Sequence, residues 1–383
     1  MDVYEGKVTK KSCNFANNLF NLPMKHIVFL VSTILISASA SMAARVPDLL
    51  KHQPKGFFKT EEAVRVGHQV VAYQRVTGGW PKNINMSVPM TPQQLDSVKA
   101  EKWRRDDSTT DNGATNREMH FLAKLYQATG DTIWLEPFRR GVEYLLSGQY
   151  PGGGWPQFWP ENHGYQVHIT YNDNAMVNTL NILRDISASV APYTDMIDKA
   201  TALRIDSAFA KGIECILATQ IRDADGNLTV WCQQHDRETL LPAPARSYEL
   251  PSYCSSESAG IVRLLMSLPA PDARVREAVH GAMRWFDTHK LTGVRLERHY
   301  GDGGDTRLVS DPDEPLPIWA RFYDLEKGEP YVCDRDGVPR KSLEEIGHER
   351  RNGYGWYNRA PLDLYPLYAE WCALYDPEHT PKP

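Results

Sequence analysis

Two short loops carry carboxylates in related surroundings. Asp111 lies in Thr109-Thr110-Asp111-Asn112-Gly113-Ala114-Thr115, and Asp173 lies 62 residues later in Thr170-Tyr171-Asn172-Asp173-Asn174. Each loop leads into a stretch of helical periodicity, so each Asp reads singly as a helix N-cap. Their recurrence supports a second reading. Related loops in neighbouring helical hairpins bring carboxylates and amides to one end of the molecule, and converging oxygens are what a hard cation such as calcium needs. Two protein carboxylates leave positions for water and an acidic ligand. The other signal is Arg in loops. Arg246 sits in Pro242-Ala243-Pro244-Ala245-Arg246-Ser247-Tyr248-Glu249, Arg321 in Trp319-Ala320-Arg321-Phe322-Tyr323, and Arg335 in Cys333-Asp334-Arg335-Asp336-Gly337. A single loop Arg is ordinarily a solvated surface charge. Arg321, among apolar neighbours, needs an anion. Guanidinium groups grip carboxylates bidentately, so several aimed at one groove suit a polyanionic sugar.

The loops Gly78-Gly79-Trp80-Pro81 and Gly153-Gly154-Trp155-Pro156 offer indoles either as platforms for a sugar ring or as packing at helix ends. Neither Gly113-Ala114-Thr115 nor Gly152-Gly153-Gly154 is followed by the Lys-Ser/Thr of a phosphate loop, and no G-x-S-x-G, H-E-x-x-H or EF-hand pattern occurs. Beyond Cys13 there are five cysteines, at no zinc-site spacing. An odd number leaves at least one free thiol and room for one or two disulfides.

The elements that must position these residues are mostly helices. Apolar periodicity predicts them over 60–75 (Ala63, Val66, Val70, Val71), 116–128 (Met119, Leu122, Leu125, Tyr126) and 133–147 (Trp134, Phe138, Val142, Leu145). It continues over 174–187 (Val177, Leu180, Leu183), 198–218 (Leu203, Ala210, Ile213, Leu217), 256–268 (Ile261, Leu264, Leu265, Leu268) and 273–289 (Val275, Val279, Met283, Phe286), with Asp272 placed to cap the last. Helix ends echo one another: Gln74 precedes the first Gly-Gly-Trp-Pro, Gln149 the second, and Gln220 precedes Trp231. Hairpins repeating in this way point to an α/α toroid, a three-fold ring with loops gathered at one end. From Gly301 to Tyr357 turn signals separate short β-prone pieces, with a small hairpin expected from 318–324 and 331–333. A last helix is expected over 361–375.

Residues 24–44 read as a secretory leader: Lys25 at its start, an apolar run from Ile27 to Ile36, then Ser41-Met42-Ala43. The run is shorter than a bilayer crossing, so no stable membrane anchor is expected. The 23 residues ahead of Met24 resemble an over-called start. This leaves 44–383 as one catalytic domain, secreted or periplasmic. The whole chain has 383 residues and formal charge -5; residues 1–43 hold four Lys and two acids, so 44–383 carry -7. That balance excludes non-specific nucleic-acid binding without excluding a local cationic site.

Taken in order, GGWPKN (78–83), TTDNGAT (109–115), GGGWPQFWP (152–160), HITYNDNAM (168–176), PARSYELPS (244–252) and WARFYDLE (319–326) resemble the pectate lyases of polysaccharide lyase family ten. The likeness runs from about Phe57 to Leu374. It implies a toroid-like fold and calcium-assisted β-elimination of polygalacturonate. It also implies roles: Asp111, Asn112 and Asp173 for calcium and the substrate carboxylate, Arg246 as the base at C5, and Arg321 and Arg335 for further carboxylates. No departure occurs at these six positions. Thr115, Lys82 and Tyr248 are further substrate-contact candidates. Two other readings of the same residues are an inverting glycoside hydrolase with Asp111 and Asp173 as acid and base, and a non-catalytic pectin-binding protein.

Overall fold

The computed structural model describes residues 47–299 and 304–379, so the leader and the over-called start expected within 1–43 lie outside the described residues. Helices are α1 (Glu61–Tyr73), α2 (Pro92–Ala100), α3 (Asn116–Thr129), α4 (Leu135–Ser147), α5 (Ala175–Ser187), α6 (Lys199–Thr219), α7 (Ser255–Met266), α8 (Ala273–Thr288), α9 (His348–Gly353) and α10 (Leu364–Tyr375). Every helix expected from periodicity forms, with ends moved by a residue or two. Asp272 does cap α8, accepting from the Val275 amide. The periodicity missed α2 and α9, although α2 is announced by a capping box, Thr91 with Gln94, and by Pro92 at its first position.

The hairpins α3/α4, α5/α6 and α7/α8 pack side by side, making two rows, α3–α5–α7 and α4–α6–α8. Helix α1 packs on α3, and α10 packs on α7. The result is an α/α toroid whose apolar stripes meet between the rows. On α6 the second half of the expected stripe holds, with Ile213 buried and Leu217 half-buried against the core, but the first half is misplaced. Leu203 is 61% exposed and Ala210 is exposed, while Ile205, Ala208, Gly212, Ile213 and Ile216 face inward. Gly212 lies on the same inward face, where a Cβ would lie 2.5 Å from the Leu180 side chain of α5.

The repeated Trp and Gln are structural. The indole of Trp80 donates to Val70 O, that of Trp155 to Leu145 O, and that of Trp231 to Ile216 O, each at 2.7 Å. Each acceptor belongs to the last turn of α1, α4 or α6, where carbonyls lack partners within the helix. Trp319 repeats the contact with Phe286 O of α8 at 2.9 Å. All four indoles are buried, so the sugar-platform alternative for Trp80 and Trp155 gives way to packing. The amides of Gln74, Gln149 and Gln220 each bridge their own loop to the next helix of the row, at Pro137 O, Ala208 O and Ala278 O.

The β structure is small. A four-stranded antiparallel sheet has the order β3 (Tyr253–Cys254), β7 (Phe322–Tyr323), β8 (Pro330–Cys333), β9 (Pro339–Arg340), and the expected β7–β8 hairpin pairs Phe322 with Tyr331. Two-residue ladders join β1 (Ile169–Thr170) to β2 (Gln234–His235) and β6 (Trp319–Ala320) to β10 (Tyr357–Asn358). A hairpin of β4 (Val294–Arg298) and β5 (Thr306–Ser310) stands apart. Cys215, Cys232, Cys254, Cys333 and Cys372 are all free and buried, so the disulfides left open by the count do not form among the described residues. No described helix is long and apolar enough to cross a membrane.

The Gly-Gly-Trp loops tolerate no side chain at their first glycine. Gly153 has φ +96, and a Cβ there would sit 2.0 Å from Lys211 O; Gly78 stands in the same relation to Arg140 O at 2.3 Å. Gly153→Ala is therefore expected to destabilise by about 2 kcal/mol or more. Gly152, with open space around it, should tolerate alanine within about 0.5 kcal/mol. Urea unfolding of the pair measures the difference, and equal midpoints would refute the close-approach argument.

Candidate active site

The Trp loops also hold the carboxylate turns. Trp80 O accepts from Thr109 N at 3.2 Å, Trp155 O from Thr170 N at 3.0 Å, and Trp231 O from Cys254 N at 2.9 Å. Each such bond fixes the chain just ahead of a site-bearing segment. Two of these are the 3-10 turns Asp111–Gly113 and Asn172–Asn174, which lie against each other. Neither Asp is an N-cap: α3 follows Thr115 and α5 follows Asn174, with no side-chain cap bond at either. Asn112, Asp173 and Asn174 have left-handed backbone, φ 53, 51 and 57, a region that Asn and Asp enter more readily than most residues.

Asp111 is buried. Its Oδ2 accepts from Lys82 Nζ and from Gln157 Nε2, the latter at 2.8 Å, whereas its Oδ1 is buried without a partner. Asp173 is more open, with a side chain 40% exposed. Burial pushes its carboxyl above the usual range; Arg321 opposes that, and Asp111 and Glu257 add to it. The Asn112 amide is exposed and donates to Asn83 Oδ1 at 3.1 Å. An orphaned carboxylate oxygen beside a second carboxylate and an amide is an oxygen donor set that fits a hard divalent cation.

Facing these turns is a group of guanidiniums stacked on two tyrosines. Arg246 lies 5.0 Å from the Tyr248 ring and 5.6 Å from that of Tyr354; Arg321 lies 4.9 Å from Tyr354, and Arg350 4.5 Å from Tyr248. Arg335, 63% exposed, stands 5.9 Å from Tyr248 at the rim. Each has a carboxylate partner. Arg246 grips Glu249 with Nε at 2.7 Å and Nη2 at 2.5 Å, and the Tyr354 hydroxyl donates to the same carboxylate at 2.6 Å. Burial alone would lower the Arg246 pKa, but Glu249 outweighs it and holds the group above its ordinary value. Arg321 Nη2 pairs with buried Glu257 and donates to Asn172 Oδ1 at 2.8 Å, with Asp173 Oδ1 3.8 Å away. Arg335 and Arg350 share Glu349.

The structure thus brings together Asp111, Asn112, Asp173, Lys82, Arg246 and Arg321, with Arg335 at the edge. Thr115 and Tyr248 are placed otherwise than expected for substrate contacts. The Thr115 hydroxyl is fully buried, accepting from Trp80 N at 3.0 Å and donating to Thr109 O at 2.8 Å. Tyr248 is buried beneath the guanidiniums it supports. Sequence reasoning missed Arg350, Tyr354, Glu249, Glu257 and Gln157. It also missed Tyr165, whose phenol feels Arg246, Glu249 and Asp111 at once. The Arg350-Arg351 pair ahead of Gly353-Tyr354-Gly355, and Glu249 three residues after Arg246, were the available signals.

Glu257 is the carboxylate in direct contact with the largely enclosed Arg321, whose other carboxylate neighbour, Asp173, stands off at 3.8 Å. Glu257→Ala leaves that cation short of a counter-charge and is expected to destabilise by about 3–5 kcal/mol. Replacing the exposed Glu143, which pairs with Arg204 at the surface, should change stability by no more than about 1 kcal/mol. Thermal and urea unfolding check the contrast, and a similarly small effect at Glu257 would refute its role.

The sequence matches the family described as pectic acid lyase over residues 74–364. Among solved structures, one similar chain is a family 10 polysaccharide lyase from Cellvibrio cellulosa, with 32% identity over 81% of this chain and 93% of that one, TM-score 0.70. Another is an aspartate-to-alanine mutant of a family 10 polysaccharide lyase from the same organism, in complex with trigalacturonic acid, with 31% identity over 82% and 94%, TM-score 0.71. No curated protein matches the chain. Family, toroid and site agree: this chain belongs to the pectic acid lyases and is a polysaccharide lyase.

Proposed function

We propose that the cleft binds polygalacturonate and cleaves it by calcium-assisted β-elimination. One observation carries this reading: the turns bearing Asp111 and Asp173 lie against each other, and Arg321, which shares the Tyr354 ring with Arg246, stands 3.8 Å from the Asp173 carboxylate, so acidic turns and guanidiniums share one pocket. A uronic acid polymer needs both, cations for its carboxylates and a place for the metal that many of those carboxylates carry. Asp111 Oδ1, Asp173 and Asn112 would hold the calcium. When bound there, it adds positive charge that stabilises the anion developing at the substrate carboxylate. Arg321 and Arg335, with Arg350 beside them, orient successive uronates through bidentate contacts.

Arg246 is the proposed base. It removes the proton at C5, the C–H electron pair forms the C4–C5 double bond, and the C4–O bond breaks with its pair on the leaving oxygen. Water is not consumed. To act, Arg246 must first lose a proton, and Glu249 resists this by raising its pKa. Only a small neutral fraction works at any moment, and it grows about tenfold per pH unit. A polymer of this size is degraded outside the cytoplasm, which is consistent with residues 24–44 acting as an export leader and 44–383 as one catalytic domain.

The first test follows ultraviolet absorbance of the new alkene on polygalacturonate, with and without a calcium chelator. Absorbance that grows only with calcium is expected; new reducing ends without absorbance would indicate hydrolysis, and binding without either product would indicate a non-catalytic binder. Arg246→Ala should abolish turnover and retain calcium-dependent substrate binding in pull-down or calorimetry.

The pH profile gives a further prediction. Log kcat/KM should climb with pH at a slope near one, without a plateau in the neutral range. Glu249→Gln removes the carboxylate that raises the Arg246 pKa and should move the rising limb to lower pH. A limb that stays in place would mean that another group is titrating.

A further inference from the structure

A second set of ligand-type side chains lies on elements other than the turns that build the cleft. His280 on α8 has a side chain only 8% exposed. Its Nδ1 is 2.6 Å from the Tyr368 hydroxyl of α10, and its Nε2 is 2.9 Å from Asp376 Oδ2. His379, in the turn Pro377–His379, has Nδ1 3.0 Å from Asp376 Oδ1. One ligating atom from each of His280, Asp376 and His379 falls within 4.8 Å of the others, and among the described residues no other group of three His, Cys, Asp or Glu meets that condition. The trio borders a cavity of about 510 Å³, also lined by Arg222, Arg276 and Arg284.

We propose that His280, Asp376 and His379 form a transition-metal site, of the zinc type, that fastens the segment after α10 to helix α8. Two imidazole nitrogens and one carboxylate suit zinc or cobalt far better than calcium, and three protein ligands leave a fourth position for water from the cavity. The Tyr368 hydroxyl supplies the outer contact such a site needs. With Nδ1–H donating to that oxygen, the ring is oriented and Nε2 is left for the metal. In the metal-free protein the ring's single proton sits on Nε2 and bridges to Asp376, while Nδ1 accepts from Tyr368; metal binding at Nε2 moves that proton to Nδ1, so the ion replaces a hydrogen bond and no bulky rearrangement is required. Arg276 Nε, 3.9 Å from Asp376 Oδ2, competes for the carboxylate. The expected affinity is therefore micromolar, weaker than that of a four-ligand structural zinc site.

The test uses the whole mature protein, stripped with a chelator and returned to excess calcium so that hard oxygen sites are filled. Cobalt(II) is titrated while its d–d absorption is followed, and zinc is added in parallel during thermal unfolding. One equivalent of cobalt should give the intense bands of a four-coordinate ion, and zinc should raise Tm by a few degrees. Both responses should vanish in His379→Ala, an exposed position whose replacement leaves the core intact, and in His280→Gln. Asp173→Ala should keep both. Weak six-coordinate bands in the native protein, responses that persist in both His variants, or their loss in Asp173→Ala would each overturn the proposal.

Discussion

Two carboxylates forced together are the constraint around which this site is built. Asp111 and Asp173 ride on turns that touch, and the charge of Asp111 adds to the cost that burial places on ionising Asp173. The protein offsets that cost incompletely. Lys82 and Gln157 satisfy one oxygen of Asp111, Arg321 approaches Asp173 without closing to hydrogen-bond distance, and Asp111 Oδ1 is left over. On the proposed reading, a pocket that keeps a buried acceptor unmet is preorganised for a cation from outside.

The toroid is what keeps those turns from drifting apart. The end of each α1, α4 and α6 helix is sealed by an indole from the loop that follows it, and the backbone carbonyl of that same Trp holds the segment entering the next site turn. A single residue therefore links the last turn of one helix to the functional loop ahead of the next. The Gln amides add a lateral tie along the row. Because the device repeats, the three site-bearing segments are anchored by the same kind of contact. Aspartates far apart in the chain can then converge without long ordering loops of their own.

This architecture also explains what the sequence could disclose. Helix positions were legible because apolar periodicity and the echoing Gln and Gly-Gly-Trp-Pro signals are local. Asp111 and Asp173 were legible because their loops repeat. Arg246 and Arg321 stood out by their neighbours, but their glutamate partners did not. Glu257 reads as an ordinary first-turn acid of α7, and only the fold sets it against Arg321, which lies 64 residues away. Thr115 shows the opposite error: a hydroxyl inside a site motif whose hydrogen bonds are both spent on the Trp80 loop. On α6 only the first half of the stripe failed: Ile205 and Ala208, not Leu203 and Ala210, share the buried face on which Gly212 meets Leu180 of α5.

The pairing of each guanidinium with an internal carboxylate sets how the cleft meets a ligand. Arg246, Arg321, Arg335, Arg350 and Lys82 face Glu249, Glu257, Glu349, Asp111 and Asp173, five cations against five carboxylates. The pocket is close to neutral before anything binds, so the guanidiniums can stack on Tyr248 and Tyr354 without driving one another apart. A divalent cation alone would leave an excess of two positive charges. A uronate chain alone would bring negative charge against Asp111 and Asp173. Binding both restores neutrality once two consecutive carboxylates are engaged, so on the proposed reading each ligand strengthens the other. That coupling is thermodynamically reciprocal, and it follows from the charge arrangement without any movement of the toroid.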